Sequence, residues 1–280
     1  MRVVITGALG QLGRQLVAAF AGHQILEVDL PAFDVARRTT ADELAAWQPD
    51  LVVHAAAYTD VDGCEKDPEL AFRVNAVGAQ NVALAAQRAG AALLHISTNE
   101  VFDGARRDLY REWDQPNPLG VYARSKAAAE QIIRDLLDRF YIVRIAWLFG
   151  PAGVNFVTKI LASAEKHGAL RVAADKFGNP TYATDTAVAM AKLAATGHYG
   201  VYHLTNSGFC SRYEFAREVM RLAGRPDLPI TPILSADWPR PSRPPLHSVL
   251  ANTNAAALGI VLRPWQEALA DYVALLRSSS

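Results

Sequence analysis

The sequence predicts an α/β protein: a doubly wound parallel sheet with a smaller C-terminal α/β lobe for substrate. Three observations carry this. Short β-branched runs alternate with helical segments through the first 150 residues, the rhythm of a parallel sheet covered on both faces. The first run, Arg2 to Thr6, passes directly into Gly7, Gly10 and Gly13, and a helical pattern from Gln11 to Ala21 follows at once. Beyond Gly150 the elements become shorter and more varied. Strand, glycine turn and helix in that order make the first unit a Rossmann-type dinucleotide-binding one.

Composition narrows the class. With 280 residues, 51% of them hydrophobic, the chain can bury a large core. Lys+Arg and Asp+Glu balance at 28 each, so no global field draws it to nucleic acid or an anionic membrane. Cys64 and Cys210 have no metal-like spacing, as in a reducing compartment. No apolar run approaches the ~18 residues of a membrane helix, and a strand beginning at residue 2 leaves no room for a signal peptide. A cytoplasmic protein without a metal site is expected.

In chain order, Gly7 allows the tight turn, Gly10 lets a pyrophosphate approach the backbone, and Gly13 lets the helix pack on the strand. Gln11 and Leu12 open a helix whose free N–H groups suit phosphate. Ile25 to Val28 is the second strand. Asp29 closes it at about the ~20-residue distance where an acid holds a ribose hydroxyl. Asp34 and Val35 follow a Leu30-Pro31 break and join the expected cofactor contacts; Thr39 to Trp47 is helical. Asp50 to Ala57 is a third strand, whose closing Ala55, Ala56 and Ala57 let a flat ring approach. Asp67 and Pro68 cap a long helix running to Arg88 and stopped by Gly90. Ala91 to Ser97 is the fourth strand, Pro118 to Arg139 helical and Phe140 to Leu148 the fifth strand.

In the second half, Asn155 to Lys166 and Ala183 to Ala194 are helical, and Leu170 to Ala174 is a short strand. Gly200 to Thr205 is a strand that could return to the main sheet. Ser211 and Glu214 form a capping box for a helix to Leu222. Pro226 to Pro245 holds seven of the fifteen prolines in no regular element, a binding loop or lid. Pro264 begins the last helix, and Ser278 to Ser280 should fray. The expected division is 1–152 with about 183–205 for the dinucleotide, and about 153–182 with 206–280 for the substrate.

Tyr122 and Lys126 stand four apart in the long helical stretch, one turn apart on one face. A phenol of pKa ~10 is a poor acid–base group at neutral pH, and a neighbouring ammonium favours its phenolate. Thr98 ends the fourth strand 24 residues before Tyr122, where a hydroxyl could bond a substrate carbonyl. The expected chemistry is hydride transfer from a nicotinamide, with Tyr122 delivering a proton to the carbonyl oxygen.

The glycine spacing, Gly-x-x-Gly-x-x-Gly, with Thr98, Tyr122 and Lys126, resembles the extended short-chain dehydrogenase/reductase superfamily. Within it, Ala55 to Thr59, Val61-Asp62, Glu65, Pro68 and Val74-Asn75 are similar to the dTDP-4-dehydrorhamnose reductase family. So are Ser97-Thr98, Val101 to Gly104, Arg144, Trp147, Asn155-Phe156, Phe177 to Thr181 and Pro264-Trp265, so that the resemblance spans the chain. It implies reduction of the 4-keto group of dTDP-4-dehydro-L-rhamnose with NADPH or NADH by a monomer or weak homodimer. By resemblance, Thr98, Glu100, Trp147, Asn155 and Arg243 contact the nucleotide sugar.

Three departures stand out. Asn99-Glu100 replaces the family's Asp-Tyr and is close to the Thr-Asp-Glu of nucleotide-sugar 4,6-dehydratases. An amide cannot donate the acidic proton that elimination needs. Arg243 lies in a loop motif one residue longer than the family's. Gln15 stands where some members carry a magnesium-binding glutamate, so no metal-linked dimer is expected. Asp29 favours NADH, and Arg37 and Arg38 could offset it for NADPH. The alternatives are a dehydratase, an epimerase, a 6-deoxytalose-forming reductase, or a non-catalytic dinucleotide-binding regulatory subunit.

Overall fold

The computed structural model describes residues 1–278. Its first half runs β1 (Arg2–Thr6), α1 (Gln11–Ala19), β2 (Gln24–Val28), α2 (Thr40–Ala46), β3 (Leu51–His54), α3 (Val61–Lys66), α4 (Pro68–Phe72), α5 (Gly78–Ala89), β4 (Ala92–Thr98), α6 (Val121–Leu136) and β5 (Phe140–Ile145). Then come β6 (Leu148–Phe149), α7 (Phe156–His167), β7 (Leu170–Ala173), β8 (Phe177–Gly178), β9 (Thr181–Tyr182), α8 (Ala183–Thr196), β10 (Gly200–His203), β11 (Cys210–Ser211), α9 (Arg212–Leu222), β12 (Ile230–Ile233), α10 (Thr253–Ala257) and α11 (Trp265–Ser278).

Six strands form one sheet in the order β10-β5-β4-β3-β1-β2, every neighbouring pair parallel. The chain reverses its direction of winding between β1 and β3, which opens a crevice beyond the carboxyl ends of those strands. Strand alternation feeds two cores. Val3, Ile5, Leu51 and Val53 face α1 and α8, with Leu16, Phe20, Met190 and Leu193. Val4, Val52 and Leu93 face the other way, with Leu44, Val82, Ala86 and Ile133 from α2, α5 and α6. A third core joins α7, β7, α9 and α11 around Phe149, Val157, Phe215 and Trp265.

Several elements differ from expectation. Helix α3 lies where no helix is expected, while the helix expected from Asp67 to Arg88 runs through without a break, its winding widened in the middle. Asp67 does cap α4, its side chain accepting from the Leu70 N–H, and Gly90 ends α5 in the left-handed region. Between them Arg73–Val77 is a π-turn. It carries buried Asn75, whose amide bonds both the Tyr58 backbone and Ser125 of α6. Strand β3 ends at His54, leaving Ala55 to Ala57 as loop. The fifth strand stops at Ile145 because Trp147 turns to φ +39°, and β6 then pairs with β9 outside the main sheet. The proline-rich stretch is not wholly irregular: Ile230–Ile233 pairs in parallel with β7, and Ser235–Asp237 is a single 3₁₀ turn. Pro232 is tolerated because a strand of a two-stranded sheet has a free edge. Ser278 closes α11 rather than fraying, and residues 279 and 280 lie outside the described ones. Among the described residues no helix is long and apolar enough to cross a membrane.

Candidate active site

The crevice is a cavity of about 670 Å³ at the carboxyl edge of the sheet, and most of the expected site residues line it. Gly7, Gly10, Gln11, Leu12 and Gly13 come from the β1–α1 turn, Ala55 and Ala57 from the end of β3, and Thr98 and Glu100 from the end of β4. Tyr122 and Lys126 come from α6, and Trp147 from the bend after β5. The glycines fit their sequence roles. Gly7 has φ +69°, and a Cβ there would lie 2.5 Å from the Ala56 nitrogen. One on Gly13 would lie 1.9 Å from the Gly7 carbonyl oxygen. A Cβ on Gly10 would meet only that same oxygen, at 3.2 Å, and would otherwise fill open space. That bare edge beside the α1 N-terminus, with no capping side chain and no acid in the first turn, fits the pyrophosphate of a dinucleotide.

Other expected cofactor residues lie outside the cavity lining. Asp29 accepts from the Leu9 and Leu30 backbone N–H groups at 2.8 and 2.7 Å, so its carboxylate braces the glycine turn. Asp34 accepts from the Ala36 N–H. Val35 is a core residue against Gly78. The Ala56 N–H points toward the Thr6 hydroxyl at 3.4 Å. Arg37 is turned to the Ala32 carbonyl and Glu43.

Around the reacting position, Tyr122 is half-buried. Its phenol is pushed well above the ordinary range by burial and then by the charge of Glu100, with Thr98 pulling weakly the other way. The phenol therefore holds its proton, which suits an acid. Lys126, 2% exposed, is pulled down to about 8 by burial, against the opposing charge of Glu130. Its Nζ lies 3.1 Å from His95 Nε2. The Thr98 hydroxyl accepts from the Glu100 N–H and meets Asn99 Oδ1 at 3.4 Å. Asn99 itself is tied to Ser248, its amide donating to Oγ at 2.5 Å.

A second cavity, about 980 Å³, opens beside the first and is lined by Asn155, Lys176, Arg240, Arg243 and Trp238, among others. Asn155 caps α7 and also donates to the Gly150 carbonyl and the Tyr272 hydroxyl, so its amide is fully engaged. Arg243 stands exposed on the rim. Arg212 lines both cavities, its guanidinium 3.7 Å over the Trp147 ring and 4.6 Å from that of Phe156. Burial lowers Arg212 to about 9, with Cys210 and Glu100 opposing. The loop is strapped down by Asp62 of α3, which accepts from Arg240 twice at 3.0 Å and from the Ser242 hydroxyl at 2.6 Å. Burial works against the Asp62 carboxylate, yet these donors hold it down at about 2.

Sequence reading missed Arg212, Lys176, Arg240, Asp62 and His95 as site residues. Arg212 was hidden inside a capping box, and Asp62 was noticed only for its resemblance. Nothing local marks the others, because only the folded lobe brings them together. Gln15 accepts from the Thr184 hydroxyl, joining α1 to α8.

Comparison with known proteins places this geometry. The family model described as the RmlD substrate binding domain matches residues 1–278. The dTDP-4-dehydrorhamnose reductase of Mycobacterium tuberculosis H37Rv is 39% identical, over 100% of this chain and 94% of that protein. The spore coat polysaccharide biosynthesis protein SpsK of Bacillus subtilis is 38% identical over 97% and 96%. Among solved structures, a dTDP-4-dehydrorhamnose reductase from Clostridium acetobutylicum superposes with a TM-score of 0.95 at 36% identity, covering 99% of this chain and 100% of that one. The Bacillus anthracis reductase, solved in complex with NADP, gives 0.93 at 36% identity over 97% and 98%. A glycine-lined crevice, a helix carrying Tyr122 and Lys126 into it, and a cationic second cavity thus sit in a frame shared end to end with these relatives: the chain belongs to the RmlD substrate binding domain family.

Proposed function

We propose that this chain reduces the 4-keto group of dTDP-4-dehydro-L-rhamnose to dTDP-L-rhamnose with NADPH or NADH, Tyr122 acting as proton donor. The observation that carries the reading is one cavity holding the glycine turn, Thr98, Tyr122 and Lys126 together. When bound, the nicotinamide supplies the hydride. Gly7, Gly10 and Gly13 with the α1 N-terminus would hold its pyrophosphate, and Lys126 its nicotinamide ribose. The Thr98 hydroxyl orients the carbonyl, and the protonated Tyr122 gives its proton to the oxygen as negative charge grows there. Trp147 borders the sugar. The second cavity, with Arg212, Lys176, Arg240 and Arg243, supplies the positive charge that a nucleoside diphosphate needs. Asn99 carries an amide spent on Ser248, so elimination of water has no acid there, which favours the reductase over a dehydratase.

The test is NAD(P)H consumption with enzymatically generated dTDP-4-dehydrorhamnose, for wild type and Tyr122→Phe. The wild type should consume cofactor, and the variant should lose about 10²- to 10⁴-fold in kcat while still binding NADPH. NMR of the product assigns the configuration at C4. A wild type that binds cofactor but leaves the authentic keto-sugar unreduced sinks the reading.

A further inference from the structure

Lys126 is a buried ammonium that pairs with no carboxylate among the described residues. The nearest acid on its own helix, Glu130, is taken by Arg144 at 2.9 and 2.7 Å, by Ser97 at 2.6 Å and by Arg134 at 3.3 Å. What Lys126 does meet is His95, on β4, at 3.1 Å. His95 is fully buried. Its ring is held far below the ordinary histidine range by burial, then by Lys126 and His54, so it is neutral. An ammonium has donors only. His95 Nε2 must therefore present its lone pair, which puts the ring proton on Nδ1.

The ring is braced from behind. His54 of β3 packs at 5.1 Å between centroids and 36° between planes, and its Nδ1 lies 2.7 Å from the Thr6 hydroxyl at the end of β1. His54 is itself kept neutral by burial and the charge of Lys126. The charged or titratable groups around Lys126 are thus His95 from β4, His54 from β3, Tyr122 and Glu130 from its own helix, and Arg144 from β5 acting through Glu130. We propose that His95 is a positioning residue for the reduction, its neutral imidazole holding the Lys126 ammonium at the cavity wall without cancelling its charge. A carboxylate in that place would fix the lysine equally well. It would also neutralise the charge that Lys126 must offer the ribose. The proposal rests on reading Thr98, Tyr122 and Lys126 as the catalytic set.

Two variants separate position from packing: His95→Leu fills the space without an acceptor, and His95→Gln restores an amide oxygen. Lysine labelled at ¹³Cε lets Lys126 be titrated by NMR with no substrate present, its signal assigned by its loss in Lys126→Arg. In His95→Leu the Lys126 titration should fall by about one pH unit. The alkaline limb of kcat/KM should move down with it, and kcat should drop roughly ten- to a hundredfold, the loss of one charge-assisted hydrogen bond. His95→Gln should recover both. A Lys126 titration and a pH limb that stay in place, with only stability lowered, overturn the proposal. Should the leucine variant not fold, ¹⁵N shifts of wild-type His95 decide: a neutral ring protonated at Nδ1 is required, and an Nε2–H or charged ring overturns it. A wild type inactive on the keto-sugar removes the role in reduction, whereas the titration separately shows whether His95 holds Lys126.

Discussion

At the scale of the residue, helix α6 carries a cost in its buried Lys126. Lys126 stands at about 8 because burial disfavours its charge, and the difference from an ordinary lysine corresponds to about 3 kcal/mol. The folded value lies below the unfolded one, so this cost is fully present below about pH 8 and is relieved as pH rises toward 10.5. Lys126→Met removes the buried charge at similar volume. It should abolish reduction while raising stability at pH 7 by about 1–3 kcal/mol, and flatten the gain in stability between pH 8 and 10.5. Urea unfolding at pH 7 and pH 10 checks this; a midpoint at pH 7 equal to or below that of wild type contradicts it. Tyr122 and Lys126 were legible in the sequence because a four-residue spacing on a helix is a local matter. The contact of Lys126 with His95 was not, since β4 and α6 meet only in the folded chain. The phenol also differs from expectation: burial and Glu100 raise it, keeping its proton, rather than Lys126 lowering it.

Among the elements, those governed by local chemistry were readable: the Asp67–Pro68 start of α4, the Ser211–Glu214 capping box of α9 and the glycine stop of α5. Those set by tertiary demands were not. The fifth strand remains apolar past Ile145, and only the turn at Trp147 shows that the chain leaves the sheet. The π-turn seats the Asn75 amide between Tyr58 and Ser125, which no propensity records. Helix α3, also unforeseen, supplies the strap on the proline-rich loop. Its Asp62 is about one-third exposed and Arg240 somewhat more, so the pair is worth about 1 kcal/mol. Asp62→Ala should therefore raise KM for the nucleotide sugar roughly fivefold and leave kcat nearly unchanged. Steady-state kinetics at two salt concentrations would show it, with high salt weakening the wild type toward the variant. A lowered kcat at constant KM would speak against the strap.

In the whole molecule, the parallel sheet explains why so many of the residues expected to meet the cofactor line one crevice. Gly7, Ala55, Thr98 and Trp147 each follow or end a strand, and parallel strands deliver their carboxyl ends to one edge. The second cavity has no such rule. Its walls come from positions 155–176, 212 and 233–246, joined only when the smaller core of Phe149, Phe215 and Trp265 forms.

Arg212, stacked on two aromatic rings where the chambers meet, ties endurance to occupancy. A guanidinium kept at about 9 by burial is a charge the empty protein carries at a disadvantage and an anionic guest relieves. Heat tolerance should thus report the supply of its guest. Adding dTDP at 100 times its dissociation constant should stabilise the wild type by about 2.7 kcal/mol, and Arg212→Met should stand hotter when empty yet gain little from the same dTDP concentration. A variant as responsive to dTDP as the wild type would leave Arg212 a bystander. Otherwise the cell holds an enzyme whose lifetime lengthens when its substrate is plentiful.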